Sequence, residues 1–299
     1  MSDRNDIIDA ILAQNLIMHG ADRRLKDRYG SSGAIVSKDI DGREVINLGC
    51  IQSLYTENED IRSFVDEGAY RKAAAIADTL IAEGMQIITI LDDCYPEQLL
   101  RSANAPAVLY VKSQTTADAL FKDRTFVSIV GTRDPSPYGL EMTRKVVEDL
   151  QQTEGGVTIV SGLALGIDAK AHREALENGI PTIAVLPNGL DTVYPQAHRG
   201  LAEKIATTPG CALITTFPPQ TAPLAINFLQ RNATIAGLSD SLYVIESKKK
   251  GGAMVTARHA YFDDRKVYAI PGRADDVRSK GCNLLIKEGA AELYMGTEG

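Results

Sequence analysis

Residues Phe126 to Asp168 read FVSIVGTRDPSPYGLEMTRKVVEDLQQTEGGVTIVSGLALGID, and this stretch constrains the fold more than any other. A short apolar run ends at Gly131-Thr132-Arg133, a helical pattern follows, and a second run ends at Ser161-Gly162 with Gly166 close behind. Two strands joined through a helix are paired by a crossover, which makes them parallel and right-handed. Glycine at both strand-to-helix turns lets backbone N–H groups come close to an anion.

The same alternation extends from Gln86 to the carboxyl end. Apolar runs fall at 87–91, 108–111, 126–130, 157–160, 182–186, 212–217, 242–245 and 267–270, with helical segments near 139–152, 168–178, 197–206 and 253–262. The pattern predicts an α/β fold with a doubly wound, mostly parallel sheet over residues 85–299. Residues 1–84 are helical in pattern and poor in strand signals. Ile8, Ile11, Leu12 and Leu16 keep helical spacing, Leu25 and Tyr29 continue an apolar face to Gly30, and a second helix is expected from about Asp60 to a stop at Gly84. A small helical domain is therefore expected before the sheet.

Right-handed crossovers bring the carboxyl ends of the strands to one edge, where open α/β sheets bind ligands. The loops 131–133, 161–168, 187–191, 246–252 and 271–273 all fall there. With 299 residues and 44% apolar composition the chain is large enough for one sizeable core and a smaller module. Its formal charge of −7 announces no global basic field. Cys50, Cys94, Cys211 and Cys282 stand apart without a CxxC pair, and the histidines show no metal-ligand spacing, so reduced thiols and no metal or cofactor are expected. The amino terminus has no apolar signal core and no run spans a bilayer, so a soluble cytoplasmic protein is expected. A phosphate-binding GxxxxGK[ST] and a dinucleotide GxGxxG are both missing.

Four segments carry candidate chemistry. Gly131, Thr132 and Arg133 could present donors beside a helix start, or form an ordinary turn with a solvated arginine; spacing leaves both open. In SGLALGID, Ser161 and Gly162 end a strand, and Asp168 reads as an N-cap in preference to an anion-site residue. In FLQRN, following a proline-rich stretch and a turn, Phe228, Arg231 and Asn232 fit base stacking, or a core aromatic beside a surface arginine. Residues 224–273 hold eight basic against four acidic side chains, with the excess at Lys248–Lys250 before Gly251, Gly252 and Ala253. That cluster suits a phosphate backbone or is a solvated lysine run.

Taken together, FVSIVGTRDPSPYG, TIVSGLALGIDAKAH, TIAVLPNGLDTVYP, NFLQRNATIAGLS, SLYVIESKKKGGAMVTARHA, VYAIPG and GCNLLIKEGA resemble the DNA-processing protein A (DprA/Smf) family, in the family's order. The likeness covers roughly 86–293. It implies an extended Rossmann-like domain, preceded by a sterile-alpha-motif-like helical module. It further implies a homodimer that binds single-stranded DNA, protects it, and helps to load a RecA-type recombinase in natural transformation, with no catalytic residues. By position, Arg133 would grip phosphate, Phe228 would stack a base, and Arg231 and Asn232 would shape the pocket. Gly131, Thr132, Ser161, Gly162, Lys250, Gly251, Gly252 and Ala253 would complete the surface.

The sequence departs from the family pattern at Ala225, where a basic residue is common, and at Leu229 and Ala233 in place of proline and arginine. The chain stops at Gly299, and no winged-helix-like domain is expected after the sheet. Two other functions stay in view. One is a phosphoribohydrolase-like enzyme, whose loop Pro271-Gly272-Arg273 matches only in part; the other is a sensor of free nucleotides on the same edge.

Overall fold

The computed structural model describes residues 2–18, 36–38, 44–46 and 67–296, arranged as two compact units, 1–111 and 112–299. In the first unit α1 (Arg4–Met18) is followed by strands β1 (Val36–Lys38) and β2 (Glu44–Ile46), then α2 (Glu67–Ala82), β3 (Gln86–Thr89), α3 (Glu97–Leu100) and β4 (Val108–Lys112). Ile8, Ile11 and Leu12 are buried where α1 packs on α2, whose facing residues Ala73, Ala77 and Leu80 are mostly small enough to let the helices approach. Beyond the helical expectation, β1 and β2 pair antiparallel, Val36 opposite Ile46. Strands β3 and β4 also pair antiparallel, Gln86 opposite Val111. The α2 helix ends before Gly84, whose φ of +69° suits glycine. The side chain of Leu16, together with Leu25, Tyr29, Gly30, Cys50 and residues 60–66, lies outside the described residues.

The second unit continues with α4 (Ala117–Phe121), β5 (Phe126–Val130), α5 (Pro137–Gln151), β6 (Thr158–Ser161), α6 (Ile167–Glu177), β7 (Thr182–Val185), α7 (Arg199–Thr207), β8 (Ala212–Thr215), α8 (Ala225–Leu238), β9 (Ser241–Val244), α9 (Gly252–Phe262), β10 (Lys266–Ala269), α10 (Lys280–Lys287) and β11 (Glu292–Leu293). Its seven strands run in the order β11-β10-β9-β5-β6-β7-β8, every neighbouring pair parallel.

Side-chain alternation along β5 shows why the sheet is wound on both faces. Val127 and Ile129 join a buried cluster with Val146, Val147 and Leu150 of α5 and Ala171 of α6. Ser128 points the other way, where its hydroxyl reaches the Ile235 carbonyl of α8 at 3.2 Å. Helix α8 in turn packs along α9. The mostly parallel, doubly wound sheet expected from the sequence is the one formed. From β5 the chain proceeds to β6, β7 and β8, then returns to place β9 on the other flank of β5. The strand order reverses between β5 and β9, so the loops after these two strands flank the topological switch point.

Candidate nucleic-acid interface

Two helices start at this edge beside buried carboxylates of the chain itself. Helix α5 opens at Pro137 behind the N-cap Ser136, whose hydroxyl accepts the Gly139 N–H at 3.1 Å. Glu246, at the end of β9 and 1% exposed, accepts the Ser136 N–H (2.9 Å) and the Ser136 hydroxyl (2.5 Å). Its backbone carbonyl accepts the Thr132 N–H at 2.8 Å. A Cβ on residue 139 would fall on Glu246 Oε2, so glycine is what lets the carboxylate lie against the helix start. The seat that a nucleotide phosphate would take in a dinucleotide-binding fold is filled from within.

The second seat is at α6. Asp168 is not the N-cap expected from the sequence; that position is Gly166, whose φ of +80° and lack of Cβ let the Thr132 carbonyl pass close by. Asp168 sits one residue into the helix, 6% exposed, and Oδ2 accepts the Ala164 N–H at 3.4 Å. The same oxygen stands 3.9 Å from Arg231 Nη1. Burial raises the Asp168 pKa, against the pull of Arg231. Burial also draws Arg231 down to about 10, which leaves it cationic at neutral pH.

The FLQRN segment lies inside α8, so Phe228 and Arg231 are one helical turn apart. Arg231 is not a surface residue: it is 4% exposed, its Nη1 donates to the Val185 carbonyl at 3.4 Å, and its Nε finds no hydrogen-bond partner among the described residues. A Cβ on Gly162 would fall on Arg231 Nη1, which explains the glycine at the end of β6. Phe228 is half-buried. The exposed Arg133 places its guanidinium carbon 5.1 Å from the ring centroid, and Arg231 places its own at 5.7 Å. Tyr194, which the sequence reading passed over, meets Phe228 edge-on at 5.6 Å and 77°. Together with Gly162, Ala164, Leu165 and Pro195 these side chains line a pocket of about 30 Å³.

The remaining expected residues fall into three places. Gly131 lies tight against α6, where a Cβ would come within 2.5 Å of Ile167 Cγ1. Ser161 is fully buried and its hydroxyl donates to the Ile129 carbonyl at 2.6 Å, so its side chain belongs to the sheet interior and not to the surface proposed for it. Lys248, Lys249 and Lys250 are exposed ahead of α9, whose N-cap Gly251 leaves the first turn without a side-chain cap. Asn232, 9% exposed, donates to the Gly252 carbonyl at 3.4 Å, and Ala253 is buried behind it. Helix α8 thus carries Phe228 and Arg231 to the pocket and Asn232 to the lysine loop.

Arg278 is a further residue that sequence reasoning missed. Its guanidinium donates to the Asp134 carbonyl and to Asp134 Oδ2, both at 2.8 Å, bracing the loop that carries Arg133 and neutralising the acid beside it. Its partner lies 144 residues away, and no local signal marks the pair.

Comparison with known proteins gives a consistent result. The family model for DNA recombination-mediator protein A matches residues 86–298. The DNA processing protein DprA of Streptococcus pneumoniae is 39% identical over 210 residues, 70% of this chain and 71% of the relative. Its X-ray structure superposes with a TM-score of 0.71 at 33% identity, covering 83% of this chain and 89% of that one. Protein Smf of Escherichia coli is 43% identical over 197 residues, 66% of this chain but 50% of the relative, so this chain spans about half the length of that protein. DNA processing protein A of Helicobacter pylori, described for its single-stranded DNA binding mode, superposes with a TM-score of 0.61 at 28% identity, covering 71% of this chain and 92% of that one.

Proposed function

The chain belongs to the DNA recombination-mediator protein A family, and from that footing we propose that it binds single-stranded DNA along the carboxyl edge of its sheet. In this reading Arg133 takes a backbone phosphate and Phe228 stacks a base, with Tyr194 as the neighbouring wall. Arg231 and Asn232 shape the pocket, with Gly131, Thr132 and Gly162 allowing the close packing around it. Lys250 and the Gly251-Gly252-Ala253 turn meet the strand farther along. The exposed Arg133 lies over the Phe228 ring, so in this reading binding swings Arg133 off the ring and onto the phosphate. The bound strand is sheltered and handed to a RecA-type recombinase by a homodimer during uptake of DNA; the protein itself performs no catalysis.

One observation carries the choice of a polymer over a free nucleotide. The N-termini of α5 and α6 are occupied by Glu246 and Asp168, whereas the exposed Arg133 lies over the Phe228 ring and the lysine-flanked start of α9 has no side-chain cap among the described residues. A nucleotide sensor or a phosphoribohydrolase needs the seats that are filled. The test is titration of fluorescent oligo-dT with and without a mononucleotide competitor. Tight oligonucleotide binding that millimolar mononucleotide leaves intact is expected. Mononucleotide binding without oligonucleotide affinity, or steady release of free base, would refute the reading.

A further inference from the structure

Arg231 differs from the other cations of this edge. Its charge faces Asp168 inside the protein, and its outer contact is the Phe228 ring, three residues earlier on the same helix. A guanidinium enclosed in this way is not placed to neutralise a phosphate, so it frees none of the counterions condensed on the strand. Asp168 comes from a different element, α6, and its carboxylate is itself held by the Ala164 N–H. The slot is closed on the third side by Gly162, where any side chain would displace Nη1.

We propose that Asp168 is a positioning residue of the single-strand site: it anchors Arg231, Arg231 holds the Phe228 ring where a base can stack, and neither residue grips phosphate. The proposal rests on the single-strand reading of this edge. It divides the site into two parts. Arg133 and the lysines set the salt dependence of binding, and the Asp168–Arg231 pair sets a salt-independent contribution from stacking.

Fluorescence anisotropy of labelled oligo-dT over a salt series, with the full chain, separates the two. Asp168→Asn alone leaves Arg231 buried without its counter-charge, so the decisive variant replaces both partners, Asp168→Asn with Arg231→Met, and strands no charge. Its affinity should fall by about tenfold, most of one base stack, at every salt concentration. The log–log slope should match that of the wild type, and Asp168→Asn should add nothing to Arg231→Met in a double-mutant cycle. A slope flattened by about 0.7, the signature of one lost phosphate contact, would overturn the proposal, as would unchanged affinity. A second readout does not depend on DNA. The chain has no tryptophan, so Phe228→Trp supplies the sole indole, and removing the pair should shift its emission to the red. Unchanged emission also overturns the proposal. If the wild type binds no oligo-dT, the single-strand reading fails by itself, and the emission still reports whether the pair holds the ring.

Discussion

Replacing Arg133 by alanine should have opposite effects at low and high salt. In the free protein the guanidinium lies 5.1 Å from the centroid of Phe228, a contact worth about 0.5–1 kcal/mol at an exposed site. Binding breaks that contact and gains a phosphate. In the variant the phosphate contact is lost, but the ring is already uncovered. One contact on a single strand contributes about 0.7 to the log–log salt slope, so the ratio of variant to wild-type Kd should shrink about fivefold for each tenfold rise in salt. The uncovered ring returns about 0.5–1 kcal/mol, a factor of about two to five, independent of salt. The variant should therefore bind more weakly at low salt and draw level with, then overtake, the wild type as salt approaches molar. Anisotropy of labelled oligo-dT from low to molar salt measures this directly. Parallel lines for the two proteins would show that Arg133 touches no phosphate. Converging lines that never meet would show that it does not cover the ring.

Two further outcomes concern stability. Gly139→Ala should lower stability by about 1–3 kcal/mol despite the better helix propensity of alanine, because its Cβ falls on Glu246 Oε2; a thermal melt no lower than that of the wild type would remove Glu246 from the helix start. His172 is fully buried, with Nδ1 against Thr182 Oγ1 at 2.7 Å, and burial lowers its pKa to about 3. Between pH 6.5 and 3 the unfolded chain binds a proton that the folded one refuses, so stability contributed by neutral His172 is complete above pH 6.5 and is lost as pH falls. By pH 5 the loss is about 2 kcal/mol, and His172→Gln should flatten the melting temperature over that window; an equally steep fall in the variant would assign the acid sensitivity elsewhere.

The strands and most helices of the larger unit could be read from the sequence because each buried run is bounded by a glycine, a proline or a polar turn. Strand β5 falls on the residues expected, and β6, β7 and β9 within one or two of them. Helix α8 was hidden by the prolines at 218, 219 and 223, which make the preceding segment look like a continuing loop, although the helix begins two residues after the last of them. Helix α10 and strand β11 are too short to show a period. In the site, the glycines expected to admit an anion make room for side chains of the protein itself, Ile167 at Gly131 and Arg231 at Gly162. Local spacing could not show this, since Glu246 reaches Ser136 across 110 residues and Arg231 reaches Asp168 across 63. Tyr194 is a single aromatic in a loop, without the periodicity that would place it. Buried or exposed was likewise undecidable for Arg231, because an arginine's place depends on whether a distant carboxylate meets it.

Glu246 holds the middle of the sheet by two grips, its carbonyl on Thr132 and its carboxylate on Ser136. These ties cross the line where the strand order turns back, the place at which such sheets have room to part. Sewn together there, the loop that carries Arg133 and the loop that leads to Lys248–Lys250 share one anchor, so a substitution at Glu246 would be felt on both sides of the seam.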